Sequence, residues 1–462
     1  MKQEIIPTLI LFILLFIKVG TKEFRNEALL GFINILLLLN FAAGFVWNTQ
    51  VTLFGGAFHT NALTILEKNI LNLGALLISW QAYPWLKGHR HVLEFYMLLL
   101  STLVGLFFMI SSGNLLMFYL GLELSTIPLA ALSSFDLEKR DSSEAAMKFI
   151  LSSAFSSALL LFGISLVYGV TGTLSLADLG THLTTNPLTI FAFILLLSGF
   201  AFKISVVPFH LWTADVYEGS PVPVTAYLSV ISKGGVFFVF IQVLFTSLWP
   251  LASSWYPILV LLALLTMFTG NLFALRQNNL KRLLAFSSIA QVGFILVGIT
   301  GSSQAASASV VYFILVYIFS NLGAFGVVAL ISAATGRETI QDYRGLRSTN
   351  PMLAWVLALS LFSLAGIPPT AGFFGKFFLI MAGAGKGNWI LIALAAGNMV
   401  ISLYYYLRVV RAIFMDTNDD PIGPIRVPLW PYLSFLVCGA GIIATGFIGW
   451  IYQYIYSLSY GH

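Results

Sequence analysis

The sequence predicts an all-α, polytopic integral membrane protein with about fourteen transmembrane helices. Three observations carry this. Of 462 residues, 58% are hydrophobic and only 9% charged, with mean hydropathy +0.92, and a soluble chain of this length could not cover its surface with so few charges. Apolar runs of about 20 residues, enough for one helical crossing of a bilayer, follow one another almost from end to end. The basic residues, finally, segregate into alternate loops. A transmembrane barrel would need alternating segments of about 10 residues, whereas stretches such as 191–199 and 312–331 are apolar on every face.

Helices are expected near 4–20, 27–47, 62–82, 92–111, 113–134, 144–170, 187–216, 222–248, 255–276, 280–300, 306–334, 350–384, 388–414 and 428–457, in a single membrane domain over 1–462. No small-residue cleavage motif follows the first apolar run, so it reads as a retained helix. With loops numbered in chain order, the odd ones hold 16 of the 23 Lys and Arg, from Lys18 and Lys22 to Arg411 and Arg426, and the even ones hold only Lys386. By the positive-inside rule the odd loops face the cytoplasm and both termini face outward. The one cysteine, Cys438, excludes an intramolecular disulfide and a four-cysteine iron–sulfur site.

The seventh expected helix contains Leu197-Ser-Gly-Phe and then Pro208, and the twelfth contains Leu359-Ser-Leu-Phe and then Pro368 and Pro369. A mid-helix proline removes a backbone hydrogen bond and clashes with the preceding turn, so each helix should break there. Five helices apart, the two segments cross in opposite directions. That predicts an inverted repeat of helices 4 to 8 (92–248) and 9 to 13 (255–414), with paired broken helices marking a transport site. The plainer alternative is two prolines that merely bend their helices.

Five lysines, Lys68, Lys148, Lys203, Lys233 and Lys376, and the acids Glu67 and Glu123 fall inside expected helices. Glu123 and the five lysines, left unpaired at mid-membrane, would cost on the order of 15 kcal/mol, which calls for pairing, hydration or a function. Glu123, Lys148, Lys203, Lys233, Lys376 and His210 are the candidate proton-path residues, all able to face the bundle interior. A lysine moved between an apolar setting and one beside a carboxylate can take up and release a proton. The alternatives are a structural ion pair for Glu123 and Lys233, capping of carbonyls freed at the breaks for Lys203 and Lys376, and snorkelling to the interface for Lys148. His210 could relay protons or cap the second half of its helix. Glu67 and Lys68 read as structural. The stretch Gly383-Ala-Gly385-Lys-Gly387 lacks dinucleotide-binding spacing, and no metal cluster, nucleophile–base pair or nucleic-acid patch is apparent.

At Gly121-Leu-Glu123-Leu, Phe202-Lys203-Ile-Ser-Val-Val-Pro208-Phe-His210-Leu-Trp212, Leu280-Lys-Arg-Leu-Leu-Ala-Phe-Ser-Ser288 and Leu364-Ala-Gly-Ile-Pro368-Pro-Thr-Ala-Gly-Phe-Phe-Gly375-Lys376, the chain resembles the antiporter-like membrane subunits of respiratory complex I, related to Mrp-type cation/proton antiporter subunits. Its length and the lysine at 376 are most like the subunit N branch. The resemblance implies a proton-translocating subunit of an NADH:quinone oxidoreductase in the bacterial cytoplasmic (inner) membrane, assembled with other membrane-arm subunits in a hetero-oligomer. It further implies Glu123 paired with a nearby lysine, Lys203 and Lys233 in a hydrophilic axis, and Lys376 leading outward. NADH, FMN, iron–sulfur clusters and quinone would be bound by other subunits. A free-standing Mrp-type antiporter and a structural scaffold subunit are the competing readings.

Overall fold

The computed structural model describes residues 1–20, 25–46 and 50–459; Lys22 and position 47, the expected end of the second helix, lie outside the described residues. Among those described, thirteen helices are long and apolar enough to span a membrane. They are α1 (Lys2–Gly20), α2 (Asn26–Val46), α3 (Ala62–Leu86), α4 (Val92–Ile110), α5 (Leu115–Ser133), α6 (Arg140–Thr171), α7a (Pro187–Ile204), α8 (Val222–Ser247), α9 (Trp249–Ala274), α10 (Leu280–Ile299), α11 (Ser303–Thr335), α13 (Trp389–Phe414) and α14 (Leu429–Phe447). A short α7b (Leu211–Gly219) continues α7a. The apolar pair α12a (Pro351–Ala365) and α12b (Ala371–Ala384) fills the twelfth place.

Helix starts follow local chemistry. Asn61, Asn114, Asn186, Asn279 and Asn388 each accept, through the side chain, a backbone N–H three residues on, satisfying a donor that the first helical turn leaves free. The two longest helices, α6 and α11, both stop at a Thr-Gly in which Gly172 and Gly336 take left-handed φ of 69° and 70°.

Three features were not foreseen. A two-stranded hairpin pairs β1 (Val51–Leu53) with β2 (Phe58–Thr60), and a short helix, Leu176–His182, precedes α7a. The last expected helix is in fact two, because Ile448 leaves helical geometry between α14 and α15 (Trp450–Leu458). Short polar or glycine-rich connections carry too weak a periodic signal to reveal such pieces.

The core is formed by α3, α8, α10 and α11, whose apolar spans are 83% to 94% buried, with α1, α2, α6, α9, α13 and α14 on the outside at 28% to 39%. Close backbone approaches join α4 to α5 and α9 to α10. A Cβ on Gly105 would lie 2.4 Å from the Ser125 backbone nitrogen, and one on Gly270 would lie 2.5 Å from that of Ala290. Small residues permit such contact between membrane helices.

Both expected breaks are present. α7a ends at Ile204, Ser205 adopts φ 65°, and helix resumes at Leu211. α12a ends at Ala365, Gly366 adopts φ 85°, and helix resumes at Ala371. The Val207–Pro208 and Pro368–Pro369 peptide bonds are cis. Polar groups freed at the breaks are recaptured inside the bundle. The Phe202 carbonyl accepts from Trp212 Nε1 at 3.1 Å, and the Val207 N–H donates to Thr266 Oγ1 at 3.1 Å.

Gly105→Leu should therefore force α4 from α5 and destabilise the chain by about 1–3 kcal/mol or more. Thermal unfolding of the purified protein in detergent checks this, and an unchanged midpoint would remove the close approach as a packing constraint.

Candidate functional site

Three candidate lysines are nearly inaccessible: Lys203, Lys233 and Lys376 are 5%, 3% and 1% exposed. Each binds neutral groups. Lys203, in the last turn of α7a, donates to Thr126 Oγ1 on α5 and lies 5.4 Å from the centre of the Phe149 ring. Lys233 donates to Ser288 Oγ on α10 at 2.9 Å and lies 5.3 Å from the Tyr217 ring centre. It directly follows a π-helical turn, Leu228–Ser232, a distortion frequent at functional positions in helices. Lys376, on α12b, reaches back to the carbonyls of Leu364 and Ala365 at 2.7 and 3.2 Å, so it caps the end of α12a. Among the described residues none of the three takes part in an ion pair.

Glu123 is half-buried on α5 and accepts a hydrogen bond from Ser157 Oγ on α6. It stands one turn before Thr126, the residue Lys203 binds, on the same helix face. The expected ion pair between Glu123 and a lysine is not formed. Lys148 sits nine residues before Ser157 on α6, roughly 13 Å along the helix axis at 1.5 Å per residue, and carboxylates at its own level hold it.

Lys148 also departs from the expectation that it faces the bundle interior. Its side chain is 42% exposed and bonds Asp215 Oδ2 at 2.7 Å and Glu144 Oε1 at 2.8 Å. Arg282 joins the same cluster, binding Asp215 at 2.9 Å and Glu218 at 2.6 Å. His210 immediately precedes α7b but makes no side-chain cap there, and its Nδ1, among the described residues, has no hydrogen-bond partner.

Two ion pairs, one fully buried and one half-buried, escaped sequence reading. Lys68 on α3 binds Glu4 on α1 at 2.5 Å, both nearly inaccessible, and donates to Ser111 at the end of α4. Lys281 pairs with Glu338 at 3.4 Å and donates to the Ser220 carbonyl at 3.2 Å. The acids lie at the edge of an apolar run or in a loop, so nothing in sequence joined them to their partners. Among the described residues no His, Cys, Asp and Glu cluster has the form of a metal site.

A family profile described as NADH:quinone oxidoreductase/Mrp antiporter, TM, matches residues 112–402. NADH-quinone oxidoreductase subunit N of Phocaeicola vulgatus is 48% identical over 423 residues, which cover 91% of this chain and 89% of that one. This chain belongs to the NADH-quinone oxidoreductase subunit N family. A chain of respiratory complex I from Thermus thermophilus superposes with TM-score 0.85 at 29% identity, covering 98% of each chain. A chain of the Mrp complex from Dietzia sp. DQ12-45-1b, 21% identical, shares the fold with TM-score 0.86 over 99% of this chain and 96% of that one. All six candidate residues fall within the segment matched by the family profile, whereas the Glu4–Lys68 pair of this subunit N family member lies before it.

Breaking the Glu4–Lys68 pair by Lys68→Met should cost up to about 3–5 kcal/mol, because it leaves the buried Glu4 carboxylate with only the N-terminal ammonium, 3.7 Å away, as counter-charge. Glu4→Gln combined with Lys68→Met should cost markedly less. Thermal unfolding of the two single variants and the double variant in detergent tests this, and strictly additive losses would show that the pair does not act as a unit.

Proposed function

We propose that this chain is the subunit N of a proton-translocating NADH:quinone oxidoreductase and moves protons along Glu123, Lys203, Lys233 and Lys376 while electrons pass through other subunits. Those subunits hold NADH, FMN, the iron–sulfur clusters and quinone, and this chain assembles with other membrane-arm subunits into a hetero-oligomer in the bacterial cytoplasmic membrane, with both termini of the chain on the outer side. Family membership and the 48% identity to a named subunit N support the assembly.

The observation that carries the mechanism is the pairing of the buried lysines with neutral groups: Thr126, Ser288 and two freed carbonyls. A buried cation without a counter-ion is costly, and a nearby carboxylate offsets that cost. Lys203 is held by Thr126, one turn from Glu123 on α5, without being locked to the carboxylate, so a change at Glu123 alters the energy of the proton on Lys203. A redox-driven rearrangement in the complex that moves charge near Glu123 is thereby passed to Lys203, then to Lys233, and outward by Lys376. Lys148, held by Asp215 and Glu144, stands at the head of this file, where displacement towards Glu123 would carry positive charge inward. His210, at the break between α7a and α7b, is a subsidiary member.

The inverted repeat, 92–248 against 255–414, is part of this reading. Its support is a series of matched features: glycine contacts between α4 and α5 and between α9 and α10, Asn caps at the starts of α5 and α10, Thr-Gly ends on α6 and α11, and breaks at Ser205 and Gly366. Short backbone bridges match as well, Asn114 with Ser175 and Asn279 with Thr339.

Lys203→Ala in the assembled complex should lower proton pumping about tenfold or more, the scale of a proton-transfer group's contribution. Pumping into vesicles, measured beside quinone reduction with subunit composition verified, checks it, and pumping at the parental rate would sink the role of Lys203. Lys233→Arg should also impair pumping, since arginine keeps its proton.

A further inference from the structure

Two small cavities lie in the bundle between Lys233 and Lys376. Each has about 10 Å³ open to a water molecule's centre, close to the room one water requires. The first is lined by Lys233, Ser229 and Ser288, the second by Lys376, Ser320 and Ser363, and Gln291 and Tyr317 line both. Each cavity thus offers more than the two to four polar partners that a buried water needs.

Gln291, on α10, is fixed in one orientation. Its Nε2 donates to the Leu364 carbonyl at 3.0 Å and to Tyr406 Oη at 3.2 Å, which leaves the other terminal atom as the acceptor. That atom, Oε1, is buried and has no hydrogen-bond partner among the described residues, although a buried amide oxygen without one is costly. The Leu364 carbonyl also accepts from Lys376. A carbonyl has two lone pairs, so Gln291 keeps it satisfied if Lys376 swings away. Tyr317 on α11 packs its ring on Phe313 at 5.8 Å and faces both cavities. Lys376 uses two of its three N–H donors on carbonyls and Lys233 uses one on Ser288, which leaves donors for the cavities.

We infer that each cavity holds one water, that the Tyr317 hydroxyl joins the two, and that Gln291 is the positioning residue that holds both waters in line. The proton balance closes on these groups. Lys233 gives a proton to the first water, which passes one of its own to the Tyr317 oxygen. Tyr317 releases its original hydroxyl proton to the second water, and that water protonates Lys376 in its neutral form. Lys233 ends one proton poorer and Lys376 one richer, with both waters and the phenol restored. This inference rests on the proton file proposed above.

Tyr317→Phe keeps the ring and its packing and removes only the hydroxyl. In the purified, fully assembled complex it should lower proton pumping about tenfold or more, and a water-resolving map of the parent complex should show density in both cavities. Gln291→Leu should remove that density with Lys233 and Lys376 in place. Parental pumping by Tyr317→Phe, or dry cavities in the parent map, overturns the bridge; waters retained in Gln291→Leu overturn the positioning role. Lys376→Ala, assayed in parallel, separates the two levels. If it stops pumping while Tyr317→Phe does not, the file stands and the bridge falls. If Lys203→Ala, Lys233→Ala and Lys376→Ala all pump normally, the file falls and the bridge with it.

Discussion

Hydrocarbon offers a peptide group nothing to bond to, so a helix that stops in the middle of a membrane must find partners for its loose carbonyls and N–H groups among its neighbours. Both breaks here meet that requirement, in different ways. At the first, a tryptophan indole, a threonine hydroxyl and the left-handed Ser205 take up the slack; at the second, a lysine does so. The heavily buried core of α3, α8, α10 and α11 creates the largely apolar interior in which these substitutions are needed, and the outer helices flank it. The prolines of both breaks, Pro208, Pro368 and Pro369, stay exposed, while the carbonyls freed beside them turn inward.

The same burial sorts the buried cations into two kinds. Lys68 and Lys281 have carboxylate partners and fasten helices to each other. Lys203, Lys233 and Lys376 have hydroxyls, ring faces and carbonyls, groups that ease a charge without cancelling it. An ion pair of the first kind resists change because separating it exposes two charges at once. A lysine of the second kind answers to a charge arriving or leaving nearby. Lys148 belongs to neither, since solvent and two carboxylates share it at the edge of the bundle.

Much of this was legible in the sequence because membrane helices are written in long apolar runs and prolines mark their interruptions. The number of crossings and both breaks follow from that. Burial of Lys203, Lys233 and Lys376 was also readable, since no interfacial position lay within reach of them. What could not be read was pairing. Glu123 was expected to meet a lysine, but whether Lys148 reaches it depends on axial offset between neighbouring helices, and carboxylates contributed by α6 and α7b decide the outcome. Glu4 and Glu338 stand where acids commonly face water. Ser288, Gln291 and Tyr317 look like ordinary polar residues of a membrane helix until packing brings them beside the lysines. Short elements such as the 51–60 hairpin and the split after α14 fall below the length at which periodicity speaks.

The Glu4–Lys68 pair constrains how the chain can be made. Glu4 precedes its partner by 64 residues, so during synthesis α1 and α2 are complete before α3 emerges. Glu4 sits in the first turn of α1, where over that interval the N-terminal ammonium, 3.7 Å from one carboxylate oxygen, is at hand and Lys68 is not yet made. The buried contact that fastens α1 to the bundle therefore closes only once α3 is made, and the order of helices in the chain becomes an order of events.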